Sequence, residues 1–98
     1  MSYEIGCPVR AKAGRDKGNI FWVVGWQEET GRLLLADGKR RSGKRPKAKS
    51  PRHVEAVDGA SDLLRPVTQT LQQGKTVSDR ELRRALAAFK EEMSLGKG

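Results

Sequence analysis

This chain has one cysteine, one histidine, few aromatic residues and no long hydrophobic run. The lone cysteine, Cys7, excludes an internal disulfide and any cysteine-based metal cluster. With His53 as the only histidine and no clustered carboxylates, neither a catalytic triad nor a metal site can be assembled, so we expect no enzyme and no cofactor. The longest apolar stretch, residues 20–24, is far shorter than a bilayer requires, and the first residues do not read as a signal peptide. We therefore expect a soluble, cytoplasmic protein with no membrane contact. Residues 38–45, GKRRSGKR, fit seven positions of a phosphate-loop pattern. They then place Arg45 where the magnesium-binding hydroxyl belongs, and Pro46 where a helix should continue, which rules that motif out.

Acid is also missing where base is most abundant. Residues 39–52, KRRSGKRPKAKSPR, hold eight cations, two prolines and no Asp or Glu. Across the chain the imbalance is one-sided. Residues 1–53 carry thirteen Lys and Arg against five acids, which equals the +8 of the whole protein, while seven cations meet seven acids beyond them. Such an asymmetry points to a polyanion as the partner of the first half.

Within that half the spacing is that of short strands. Val9, Ala11 and Ala13 alternate with Arg10 and Lys12, and Ile20 to Val24 form an apolar run. Between them GRDKG, residues 14–18, is a glycine-flanked turn that carries Arg15 and Lys17 on a stiff support. Asp16 is a natural turn residue, its short carboxylate suited to nearby backbone amides. The second strand, residues 19–27, is apolar on both faces, with Ile20, Trp22, Val24 and Trp26 on one and Phe21 and Val23 on the other. A strand without a polar face is buried on both sides or closed into a barrel. Gly25 suits a bulge or sharp bend within it. After a turn at residues 28–31, a third strand is expected over 32–37, and Asp37-Gly38 signals a hairpin into a fourth at 39–42. Residues 39–52 cannot fold alone and should form a loosely draped loop, before 53–57 return as the closing strand. These five short strands suggest a small SH3-like barrel over residues 1–58, mainly β, with a helical appendage over 59–98.

In the appendage the period lengthens. Leu63, Leu64, Val67 and Leu71 recur three and four apart, with Ser61 as a possible cap, and the helix should start near Pro66 and end before Gly74. Ser78 and Glu81 form a capping box, Val77 can staple onto Leu82, and Leu82, Leu86, Phe89 and Met93 make one apolar stripe that Gly96 ends.

Residues 9–27, VRAKAGRDKGNIFWVVGWQ, resemble a KOW motif: a hydrophobic–basic strand, a G-x-D-K-G-type turn and an apolar strand. Residues 33–54 are similar to the continuation seen in the eukaryotic and archaeal large-subunit ribosomal protein numbered fourteen, with Asp37-Gly38-Lys39, Pro46-Lys47-Ala48-Lys49 and His53 at the matching places. Residues 77–89 resemble the helical tail of bacterial KOW-domain RNA-binding proteins, so the likeness covers roughly residues 5–90. The resemblance implies an SH3-like barrel that binds RNA, ribosomal RNA above all, as a ribosomal or ribosome-associated protein. Ribosomal proteins are the further partners expected, and the free chain is expected to be a monomer. The residues expected to contact RNA are Arg10, Lys12, Arg15 and Lys17 with Lys39, Arg40, Arg41, Lys44, Arg45, Lys47, Lys49, Arg52 and His53. Trp26 is the candidate for stacking on a base. Two other readings are weighed against this one. A transcription-associated KOW module would act mainly through protein contacts, and a DNA-binding protein would place its helix around residues 80–84 in a major groove. Balanced charge in the second half argues against the latter.

Overall fold

The strand Ile20–Trp26 has no polar face because both of its faces are covered. In this computed structural model, which describes residues 3–57 and 62–96 with side chains to residue 93, it lies at the middle of a sheet. The strands β1 (Pro8–Ala11), β2 (Ile20–Trp26), β3 (Leu33–Ala36), β4 (Lys47–Lys49) and β5 (Val54–Ala56) run antiparallel in the order β4-β3-β2-β1-β5. Two helices follow, α1 (Arg65–Gln72) and α2 (Asp79–Gly96).

Alternation then sorts the side chains of β2. Phe21 and Val23 join Val9, Ala11, Leu33, Leu35 and Val54 in one apolar cluster. Ile20 and Trp22 pack in another with Val67, Leu71, Leu82, Leu86 and Phe89, so the helices share a core with the sheet. Trp22 is fully buried there, and its indole N–H donates to the Leu82 carbonyl oxygen at 3.1 Å. That bond lets a large apolar ring sit in the core without stranding its polar atom. The register shifts between Val23 and Gly25, which pair with Leu35 and Leu34, so the expected bulge is present.

The sheet is curled. In a flat sheet β4 and β1 would lie three strand spacings apart, about 14 Å, farther than a lysine side chain extends. Yet Lys49 Nζ, on β4, donates to the Ala13 carbonyl oxygen just beyond β1 at 2.8 Å. On the other side of β1, the Lys12 N–H extends the ladder with β5 by donating to the His53 carbonyl oxygen at 2.7 Å. The sheet nonetheless keeps two edges, because β4 and β5 share no ladder.

Two expectations about residues 39–52 are corrected. Residues 39–42 form no strand, since the Asp37 carboxylate takes the backbone N–H groups of Lys39, Arg40 and Arg41 that a ladder would have used. The basic stretch is not simply a draped loop either. Its Lys47–Lys49 segment pairs with Leu33, Leu34 and Leu35 as β4, followed by a 3-10 turn at Pro51–His53.

The helices form where their spacing placed them. Ser78 Oγ accepts the Glu81 N–H at 3.2 Å, which is the cap half of the expected capping box, and Val77 and Leu82 are buried in the same cluster, as the staple requires. Met93 packs against the cluster that holds Leu82, Leu86 and Phe89. Pro66 lies in the first turn of α1, and Gly74 follows its end with φ +79°. Ser61 lies outside the described residues.

Candidate nucleic-acid interface

Three connections open on the same end of the sheet. Residues 12–19 join the end of β1 to the start of β2, residues 37–46 leave the end of β3, and residues 51–53 enter β5 beside the end of β1. On them Lys12, Arg15, Lys17, Lys39, Arg40, Arg41, Lys44, Arg45, Arg52 and His53 are all exposed. Glu28 and Glu29 lie on the turn at the opposite end, so charge is graded along the strands.

The remaining expected contacts are engaged by the chain itself. The ammonium of Lys47 donates to the Asp16 carboxylate, and Lys49 is buried with its Nζ on the Ala13 carbonyl oxygen. Arg10 faces Glu55 across 3.9 Å in a half-exposed pair that contributes little. Asp16 therefore acts as a long-range anchor: its side chain takes a lysine from β4 where local turn chemistry suggested backbone amides. The hydrogen bond from Lys47 holds the Asp16 carboxyl below the usual carboxylate range, against an opposing effect of burial. Positive charge on Lys47, Lys49 and Arg41 adds to that lowering.

Each of these two connections is held by a carboxylate. In the first, Gly14 and Gly18 take φ of +82° and +91°, and Asp16 between them is tied to β4. In the second, Asp37 Oδ1 accepts the N–H groups of Lys39, Arg40 and Arg41 at 2.9, 3.0 and 2.9 Å. The Arg41 carbonyl oxygen accepts from both Asp37 and Gly38 at 3.0 Å, closing the loop on itself. Its cations project from a fixed backbone, which lowers the entropy lost when they meet a phosphate.

The same connection rests on the start of α2. A Cβ at Gly38 would lie 2.1 Å from the Asp79 carbonyl oxygen, so only glycine fits this contact, and its φ is +77°. Asp79 Oδ1 accepts the Gly43 N–H at 2.8 Å, and Arg83 Nη1 donates to the Gly38 carbonyl oxygen at 3.3 Å. Arg83 therefore joins the basic end from a segment whose charges sum to zero. Sequence reasoning missed it because a sum over a segment does not show which face each charge occupies. Trp26 is 48% exposed but sits at the C-terminal end of β2, away from the basic connections.

No cluster of metal-ligating side chains occurs among the described residues. No helix among them is long and apolar enough to cross a membrane. Neither a family model nor a curated protein matches this chain.

Proposed function

We propose that this protein binds RNA through the basic end of its sheet, that the sheet is the curled wall of an SH3-like barrel of KOW type, and that the RNA is ribosomal. One observation carries the reading: three separate connections deliver their exposed cations to one end, and internal carboxylates hold two of them in shape. A charged loop kept only for solubility has no need of a fixed backbone. Phosphate contacts reward one, because they position the protein on the nucleic acid. The barrel reading is supported by the reach of Lys49 to Ala13 and by the apolar cluster that β1, β2, β3 and β5 enclose.

Arg15, Lys17, Lys39, Arg40, Arg41, Lys44, Arg45 and Arg52 take the phosphates in this account, with Lys12 and His53 at the margin. Lys47 and Lys49 serve as internal braces. A DNA-reading role for the first turn of α2 has less support, since that turn is packed against Gly38 and Gly43. The test is a competition between a structured RNA and duplex DNA of equal length at fixed salt, together with crosslinking in cells and sequencing of the attached RNA. RNA preference and recovery of ribosomal RNA are expected. Equal competition by DNA, or co-purification with RNA polymerase alone, would contradict the proposal.

A further inference from the structure

A cleft of about 560 Å³ lies on the helix-bearing side of the sheet, beside the basic end. Its floor is apolar, formed by Val24 of β2, Leu71 at the end of α1, and Val77 and Leu82 at the start of α2. Lys44 and Lys75 belong to its lining, and Lys44 is also part of the connection assigned above to phosphate. The volume is in the range of small-molecule sites, about 300–1,000 Å³, and the mixture of apolar floor and a few polar groups is what such sites use.

We propose that this cleft receives one unpaired nucleotide of the bound RNA, an inference that rests on the RNA-binding reading and extends it. A nucleotide joins a flat apolar face to an anionic group, and the cleft offers an apolar floor with a cation on each of two lining segments. Its continuity with the basic connection at residues 43–44 means that a strand held there needs only to turn one base aside. Asp79 also lines the cleft, and its Oδ1 already accepts the Gly43 N–H at 2.8 Å. That bond fixes the carboxylate in the lining, where it can accept from an exocyclic amine of a base. Unpaired bases are the usual objects of RNA recognition, because their edges and faces are free to contact protein.

The experiment compares an RNA hairpin that carries a single-nucleotide bulge with the same hairpin fully paired. Wild-type protein should bind the bulged form about tenfold more tightly, within what burying one base face against the apolar floor contributes. Thr76→Trp, an exposed lining position, should fill the cleft, and Lys75→Gln should remove a lining charge. Both variants should bring the two hairpins to within about twofold of each other while keeping the affinity for the paired hairpin. Equal wild-type affinity for the two hairpins, or a bulge preference that survives both variants, would overturn the inference and leave the RNA-binding reading intact. Failure of the wild-type protein to bind either hairpin would remove both. Amide shifts at residues 74–79 that respond to an acidic amphipathic peptide but not to the bulged hairpin would also overturn it, in favour of a protein occupant.

Discussion

The ammonium of Lys47 rests on the carboxylate of Asp16, 31 positions earlier in the chain, and ties the turn between β1 and β2 to the edge strand β4. Both groups are largely shielded, with side-chain exposures of 29% and 13%. Replacing Asp16 with Asn leaves a lysine without its counter-charge. The Asp16→Asn protein should lose about 1–3 kcal/mol of stability in urea unfolding. Amide exchange should quicken across residues 14–18, and RNA should bind several-fold more weakly although one negative charge has been removed. Tighter binding would mean that net charge, and not the shape of the turn, governs the interface.

The same pair sets a pH dependence. The Asp16 carboxyl is held below the usual range by Lys47, so the folded protein binds this proton less readily than the unfolded chain. Its contribution to stability is complete above about pH 4 and is lost as pH falls through the lower folded value. The stability difference between wild type and Asp16→Asn should therefore be constant from pH 7 to 5 and shrink below pH 4. A difference unchanged down to pH 2 would contradict the pairing.

Two glycines with similar backbone angles should respond differently to alanine. Gly38 and Gly18 have φ of +77° and +91°, but a Cβ at Gly38 meets the start of α2 and one at Gly18 meets nothing within 4 Å. Gly18→Ala should cost about 1–2 kcal/mol, from backbone strain alone. Gly38→Ala adds a clash that cannot be relieved without moving the helix or the basic connection, and should cost about 2–3 kcal/mol in all. Equal costs in denaturant unfolding would mean that the helix and this connection separate freely.

Charge reversal should depend on which end of the sheet it alters. Arg15→Glu with Lys17→Glu should weaken binding to structured RNA at least tenfold, and Arg32→Glu, on the far turn, should change it by less than about threefold. If about five phosphates are neutralised, log affinity should fall with log salt at a slope near −4 to −5. The double reversal should make that slope shallower by roughly two. An effect of Arg32→Glu equal to that of the pair would point to a diffuse attraction.

Much of this fold was legible because it is written in local spacing. The apolar run of β2 announced a strand covered on both faces, Gly25 announced the bulge, and the Ser78 cap with its following stripe announced α2. Partners remote in sequence were not legible. Lys-Ala-Lys at residues 47–49 gives no strand signal, and becomes one only because Leu33 to Leu35 offer a ladder while Asp16 and Ala13 accept the lysines. Asp37-Gly38 has a different lesson: its carboxylate collects the amides two, three and four residues on, a local Asx-type alternative to the hairpin that the same two residues also signal. For the site, the basic stretch was plain from composition. The division of its cations between exposed contacts and internal braces was not, because it depends on which carboxylates and carbonyls the fold brings near.

The central claim is that the exposed cations of three connections form one surface for RNA. Amide chemical-shift mapping of the full chain with a structured RNA hairpin tests it most directly. Shifts should concentrate at residues 12–18, 39–45 and 51–53, with the turn at residues 27–32 silent. Shifts confined to the α2 residues, with all three connections unmoved, would contradict the account.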